Sequence, residues 1–230
     1  MYGMDFAKSC LQEYYAECSS SKPKLLIIQH DCADELLSCI KDENFIGAVC
    51  SRTTRSRRLV DIPLLASPSI DSLVLKSEHK QYLSNFIGRI THPIRQELYE
   101  QITSAKSDLH LIQMNNSMDP KLYAKVLSSS IFTFCPRGYG GSSFRFWEAL
   151  ALGSIPVLIG DLDTRPKYSI NPDSYSMYYD SAEDAFDNVC RMSELDITKL
   201  RKNGSFAWEK YFKSEQFART LITHLSYPIS

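Results

Sequence analysis

The 230 residues carry 26 Lys and Arg against 27 Asp and Glu, a net charge of −1, so no global field draws the chain to nucleic acid or to an anionic membrane. Hydrophobic residues at 43% and charged ones at 23% supply enough apolar material for one large buried core or two small ones. Seven cysteines, at 10, 18, 32, 39, 50, 135 and 190, are odd in number and form no C-x-x-C pair, which argues against a closed disulfide framework and a zinc site and for a reducing cytoplasm.

The first twenty residues contain no apolar run long enough for a signal peptide. Nowhere do about eighteen apolar residues follow one another, so a soluble, cytoplasmic chain with no membrane span is expected. After a polar start that breaks at Ser19-Ser20-Ser21 and Pro23, Lys24 to Gln29 reads as a buried strand, because four adjacent apolar residues leave no solvent face. His30 and Asp31 then stand at its carboxyl end. Asp34 to Lys41 predicts a short helix with Leu36, Leu37 and Ile40 inward, and Ile46 to Ser51 a second strand. Arg52, Arg55, Arg57 and Arg58, followed by Pro63 and Pro68, predict a loop leading into an extended connection. The domain boundary is expected between Ser67 and Ser84, giving a short N-terminal α/β part, 1–79, and a larger part, 80–230.

From there the alternation is regular. Strands are expected at Asn85 to Ile90, Leu109 to Met114, Ile131 to Cys135 and Ile155 to Ile159, with helices Pro93 to Ala105, Pro120 to Ser129 and Ser143 to Leu152 between them. Strands separated by helices imply a parallel sheet covered on both faces. Pro93 and Pro120 fit first-turn positions, Asp119 can cap the second helix, and Gly153 supplies a left-handed stop. A tyrosine-rich strand at Tyr175 to Asp180 and helices at Ala182 to Met192, Ile197 to Phe212 and Gln216 to Leu225 complete the chain. There is no internal repeat and no low-complexity tract.

Ligands of an open parallel sheet sit beyond the carboxyl ends of its strands, which directs attention to Pro136 to Ser142. Gly138, Gly140 and Gly141 give that loop a backbone able to approach a ligand or to turn through positive φ. The following helix offers unpaired N–H groups and a partial positive charge. Ser142 and Ser143 can cap it or bond a phosphate oxygen, and Arg137 and Arg145 flank the loop with bidentate donors. Neither the G-K-[ST] ending of a P-loop nor the G-x-G-x-x-G spacing of a dinucleotide site is present. Glu148, three residues after Arg145 on one helical face, could accept both hydroxyls of a ribose; the plain alternative is a surface ion pair between Arg145 and Glu148.

These residues carry a resemblance. Leu122-Tyr123, Leu127, Ser130, Phe132 and then CPRGYGGSSFRFWEALALGSIPVLIGD resemble the signature of the exostosin family, glycosyltransferase family 47, in order over about forty residues. Weaker similarity runs from FIGR at Phe86 to Arg89, with Arg95, to the final helices, while residues 1–79 resemble the family only vaguely. The resemblance implies a GT-B fold, two Rossmann-like domains across a cleft, and an inverting enzyme that transfers sugar from a UDP-sugar to a glycan with no cofactor required. By position it assigns Arg137 and Arg145 to the diphosphate, Gly138 to Ser143 to backbone and hydroxyl donors, Glu148 to the ribose, and Gly88 and Arg89 to the opposite side of the phosphates, with Arg95 also counted among the donor-binding residues. Many retaining GT-B enzymes carry a second glutamate eight positions after the first; Pro156 stands there, in keeping with inversion. The N-terminal part is much shorter than a full Rossmann domain, so a catalytically silent partner of an active glycosyltransferase is the alternative reading, and a nucleotide-binding regulatory module a third.

The catalytic base is expected from the N-terminal part, with His30 or Asp31 as candidates and Asp61 and Glu78 behind them. Asp31 could equally cap a helix and His30 be a hydrogen-bonded neighbour. Asp161-Leu162-Asp163 is a D-x-D pattern, but the arginine-rich loop can neutralise the diphosphate, so a divalent metal is possible and not expected. The arginine cluster would suit an acidic glycan or the donor phosphates, or be a solvated loop; without interleaved aromatics it does not point to nucleic acid. Trp147 and Trp208 read as core, and Cys135 as an inert buried thiol.

Overall fold

The computed structural model describes residues 4–17, 24–31, 33–40, 45–56, 58–64, 79–114 and 118–226. Two parallel sheets make up the α/β architecture.

The smaller sheet has the order β1-β2-β3, with β1 at Lys24–Ile28, β2 at Phe45–Val49 and β3 at Leu59–Asp61. Helices α1 (Met4–Glu17) and α2 (Ala33–Leu37) accompany it. Leu37, Phe45 and Val49 share a buried cluster against which Leu11, Leu26 and Ile28 pack. Three elements here depart from expectation. Strand β1, expected to leave no solvent face, is the edge of its sheet: Leu26 and Ile28 pack on the buried cluster, while Leu25 and Ile27 on the other face are 42% and 61% exposed. Helix α1 occupies a stretch with no strong periodicity, and β3 lies where the arginines predicted a loop. The third strand exists because β2 offers an open edge: Gly47 N–H bonds the Arg58 carbonyl at 2.9 Å and Ile62 N–H the Val49 carbonyl at 2.9 Å. Gly47 is required there, since a Cβ would lie 2.6 Å from Leu37 Cδ1 and 2.8 Å from Leu59 Cδ2.

The larger sheet has the order β5-β4-β6-β7-β8, all parallel, from β4 (Tyr82–Gly88), β5 (His110–Met114), β6 (Ser130–Pro136), β7 (Ile155–Ile159) and β8 (Met177–Tyr179). The helices are α3 (Pro93–Ser104), α4 (Pro120–Ser128), α5 (Phe144–Ala151), α6 (Ala182–Arg191), α7 (Glu194–Ala207) and α8 (Ser214–Ser226). Strand β4 begins three residues earlier than the apolar run predicts, because polar Tyr82 and Ser84 already pair with Ser130 and Phe132. The helix expected through Phe212 changes at Trp208–Phe212 into a π-turn.

Alternation along β7 divides the core. Ile155, Val157 and Ile159 point to the face covered by α3 and α6, where Leu98, Ile102, Ala185 and Phe186 pack. Leu158 points to the other face, with Trp147, Tyr175, Trp208 and Phe212, so both tryptophans are core residues. Ala48, Cys50, Ile62 and Leu64 from the smaller sheet join this second cluster. The boundary expected between Ser67 and Ser84 falls largely in 65–78, outside the described residues.

The caps follow the sequence signals. Asp119 accepts the Lys121 and Leu122 N–H groups at 2.9 and 3.1 Å. Gly153, at φ +75°, ends α5 with Gly153 N–H on the Leu150 carbonyl and Ser154 N–H on the Ala149 carbonyl, a Schellman pair.

Candidate donor-binding cleft

The chain's path through the larger sheet reverses direction between β4 and β6, and an open parallel sheet places its crevice at the carboxyl ends of such a pair. A cleft of about 280 Å³ lies there, lined by the glycine loop after β6, the start of α5, Thr91 and Arg95 beyond β4, and Asp31 and Leu64 from the smaller sheet.

Arg145 reaches it from the first turn of α5. Its guanidinium stacks on the buried Phe86 ring, 4.9 Å from the centroid, and donates to the Ile87 carbonyl. Gly88 makes this possible: a Cβ there would sit 2.9 Å from Arg145 Nη2. Glu148 accepts a hydrogen bond from the Tyr123 hydroxyl of α4, and burial holds that phenol's pKa above its usual range. Arg145 and Glu148 thus have separate partners, and among the described residues no ion pair joins them. Ser143 is the N-cap of α5, yet its hydroxyl makes no capping bond, so that buried hydroxyl remains available to a ligand. Thr91 Oγ1 is also buried, with no hydrogen-bond partner among the described residues.

Arg95 lines the cleft but spends its donors on backbone. Its Nε bonds the Arg137 carbonyl at 2.9 Å, Nη1 the Arg89 carbonyl at 2.9 Å and Nη2 the Pro136 carbonyl at 3.2 Å. Burial, aided by nearby Arg145, lowers its pKa to about 10. Arg95 therefore holds the loop after β4 against the loop after β6, and Gly138 packs beside it: a Cβ would be 3.0 Å from Arg95 Nη2. Neither Gly138, Gly140 nor Gly141 has a positive φ, so close approach, not turn geometry, is their reason.

For Gly140 and Gly141 the neighbour approached is the smaller sheet. A Cβ on Gly140 would lie 2.1 Å from Ser51 Oγ and 2.9 Å from the Asp31 carbonyl, and one on Gly141 would lie 2.3 Å from the Arg52 carbonyl. Ser142 N–H bonds Ser51 Oγ at 3.4 Å. Asp31 follows β1 and faces the glycine loop from across the cleft, whereas His30, Gly88, Arg89 and Arg137 do not line it. Arg137 turns to the Asp161 carboxylate and to the Tyr139 carbonyl at 3.3 Å, packing its stem on Gly160.

The D-x-D aspartates are drawn apart by different cations. Asp161 takes Arg137, while Asp163 takes Arg165 bidentately at 2.9 and 3.1 Å and Lys167 at 3.3 Å. Of the fallback bases, Asp61 is held by Arg52 through bonds of 2.7 and 2.8 Å, and Glu78 lies outside the described residues. Burial raises the pKa of the Cys135 thiol to about 12, which keeps it un-ionised.

Tyr123, Thr91 and Ser51 have no assigned role in the sequence reading. Tyr123 stands inside the quoted family signature, and Thr91 lies three residues beyond the Gly88 strand end, so both positions carried a signal. Ser51 carried none. Among the described residues no helix is long and apolar enough to cross a membrane.

Facing α/β sheets, the smaller opposite the switch-point crevice of the larger, make the fold GT-B-like. Solved structures similar to this chain include the pneumococcal O-GlcNAc transferase GtfA in complex with UDP and GlcNAc, 11% identical, with 88% of this chain and 45% of that one covered and a TM-score of 0.47. TarM is 11% identical over 93% of this chain and 57% of its own, with a TM-score of 0.45. The C-terminal domain of a glycosyl transferase group 1 family protein (LpcC) from Francisella tularensis is 13% identical over 88% and 92%, with a TM-score of 0.39. The chain spans about half the length of the first two, 45% and 57%. Residues 37–185 match the Exostosin GT47 domain, well over half of the 230 residues, and the chain belongs to that family.

Proposed function

We propose that the chain transfers a sugar from a UDP-sugar to a glycan hydroxyl with inversion, and that the cleft at the β4–β6 switch point binds the donor. The observation that carries this reading is the convergence in one cleft of Arg145, Ser143 and the α5 N-terminus with Glu148, opposite a carboxylate, Asp31, from the other sheet. The first group is suited to a diphosphate and Glu148, oriented by Tyr123, to a ribose.

In the proposed reaction the acceptor oxygen attacks the anomeric carbon as the bond from that carbon to the β-phosphate oxygen breaks. The acceptor proton passes to the Asp31 carboxylate, and UDP departs with both electrons of the broken bond. Arg145 and the helix N–H groups stabilise the charge that develops on the leaving diphosphate. A single displacement with one base inverts the anomeric centre. Arg95 acts one step removed, by fixing the carbonyls of the loop.

Incubating the protein with a panel of UDP-sugars, and following hydrolysis and protection from thermal unfolding, tests the reading directly. A response to UDP and to one UDP-sugar above the others is expected. No response to any nucleotide would sink it.

A further inference from the structure

The two sheets meet through an apolar core as well as across the cleft. Side chains alternate along β2: Phe45 and Val49 enter the cluster beside α1 and α2, whereas Ala48 and the adjoining Cys50 enter the cluster that holds Trp147, Trp208 and Phe212. Ile62 and Leu64, beyond β3, belong to the same cluster, and all four are at most 5% exposed. Cys135 of β6 and Leu158 of β7 lie in it too, so one buried cluster runs from the middle strand of the smaller sheet to the interior strands of the larger.

Backbone contacts close the seam beside this cluster. A Cβ on Gly141 would lie 2.3 Å from the Arg52 carbonyl, and Gly140 stands in the same way against Ser51 and Asp31. Thr164 Oγ1, from the segment after β7, donates to the Gly141 carbonyl at 3.1 Å, so the glycine loop touches residues 51–52 and that segment at once. Rotating one sheet away from the other would break these contacts and bring water to Ala48, Cys50, Ile62, Leu64 and the aromatic rings of their cluster. Domains that move against each other meet through polar interfaces of modest area, whereas a large apolar one joins them.

We propose that the two sheets move as one body, so that the cleft is assembled before any ligand arrives and Asp31 already faces the glycine loop in the nucleotide-free chain. Neither substrate then has to draw the sheets together to complete the other's site. That consequence rests on the transfer reading above; the single body does not.

The chain's own cysteines provide the test without a substitution. Cys50 lies at the seam and Cys135 inside the larger sheet, both buried, while Cys10 and Cys190 are exposed. The full chain, free of nucleotide, is treated with iodoacetamide for increasing times, and the alkylated cysteines are identified by mass spectrometry. Cys10 and Cys190 should react at least about a thousandfold faster than Cys50, and Cys50 within about tenfold of Cys135, because one opening of the whole body exposes both buried thiols. Denatured chain supplies the intrinsic rate of each thiol for correction. A corrected Cys50 rate more than about tenfold above that of Cys135 would overturn the proposal, since the seam would then part while the larger sheet stayed closed. Small-angle scattering with and without saturating UDP, saturation being fixed by calorimetry, should give one radius of gyration, and compaction by UDP would overturn the proposal as well. A chain that binds no UDP defeats the donor reading, yet the nucleotide-free alkylation still decides the seam, so the two failures are distinguishable.

Discussion

Gly140 and Ser51, far apart in sequence, meet so closely that a single added methyl on the glycine would stand 2.1 Å from the serine hydroxyl oxygen. The same methyl would lie 3.0 Å from the Asp31 carboxylate oxygen Oδ1. The glycine loop is thus the surface on which the smaller sheet brings its candidate base to the cleft.

Gly140→Ala should therefore misplace Asp31 and lower turnover well beyond its effect on UDP affinity. Overpacking at such a contact costs about 1–3 kcal/mol, which a shift in the melting midpoint would register. Adding Ser51→Ala removes the shortest contact and should restore part of both losses. A double variant no better than Gly140→Ala would place the strain elsewhere.

Asp31→Asn should reduce turnover at least about a hundredfold with UDP binding preserved, because a base is needed in the transition state and not for donor affinity. His30→Ala should remain near the parent rate, since His30 does not line the cleft. Steady-state kinetics beside UDP titrations separate the two. A reversed pattern would transfer the role to His30.

Arg145→Ala and Glu148→Ala should each weaken UDP binding about ten- to hundredfold, corresponding to a charged hydrogen bond of roughly 1.5–3 kcal/mol. Tyr123→Phe deletes only the hydroxyl that orients Glu148 and should cost less, about 1 kcal/mol or fivefold. Calorimetric titration with UDP ranks the three. If Tyr123→Phe lowered stability and left affinity untouched, the Tyr123–Glu148 bond would be a matter of folding only.

Lys80 supplies a pH dependence that belongs to folding. Its ammonium donates to the Ser128 carbonyl at 2.6 Å and the Gly153 carbonyl at 3.0 Å, and burial, with Arg201 adding repulsion, lowers its pKa from 10.5 to about 7. Between those values the unfolded chain binds a proton that the native chain has released, so stability rises with pH, by up to about 1.4 kcal/mol per unit from this group. Denaturant melts between pH 7 and pH 10 should show a rise that Lys80→Met flattens. An unchanged slope in the variant would assign the dependence to other groups.

The parallel sheet, the helix stops and the placement of a glycine loop beyond β6 were legible because each rests on a local pattern. Apolar runs, a capping Asp119, a left-handed Gly153 and three glycines before a helix act over only a few residues. Arg145 and Glu148 could be paired with the loop for the same reason, being one helical turn apart. Strand β3 was not legible, since only the open edge of β2 makes a strand of three residues that follow a run of arginines. The partners of the functional side chains were likewise beyond local pattern. Whether Arg137 meets a ligand or Asp161, whether Arg95 faces a phosphate or three carbonyls, and whether His30 or Asp31 enters the cleft depend on contacts between distant segments. Ser142 and Ser51, which join the two sheets, are 91 positions apart. Residue type fixes what a side chain can bond, and the packing of one sheet against the other decides which partner comes within reach.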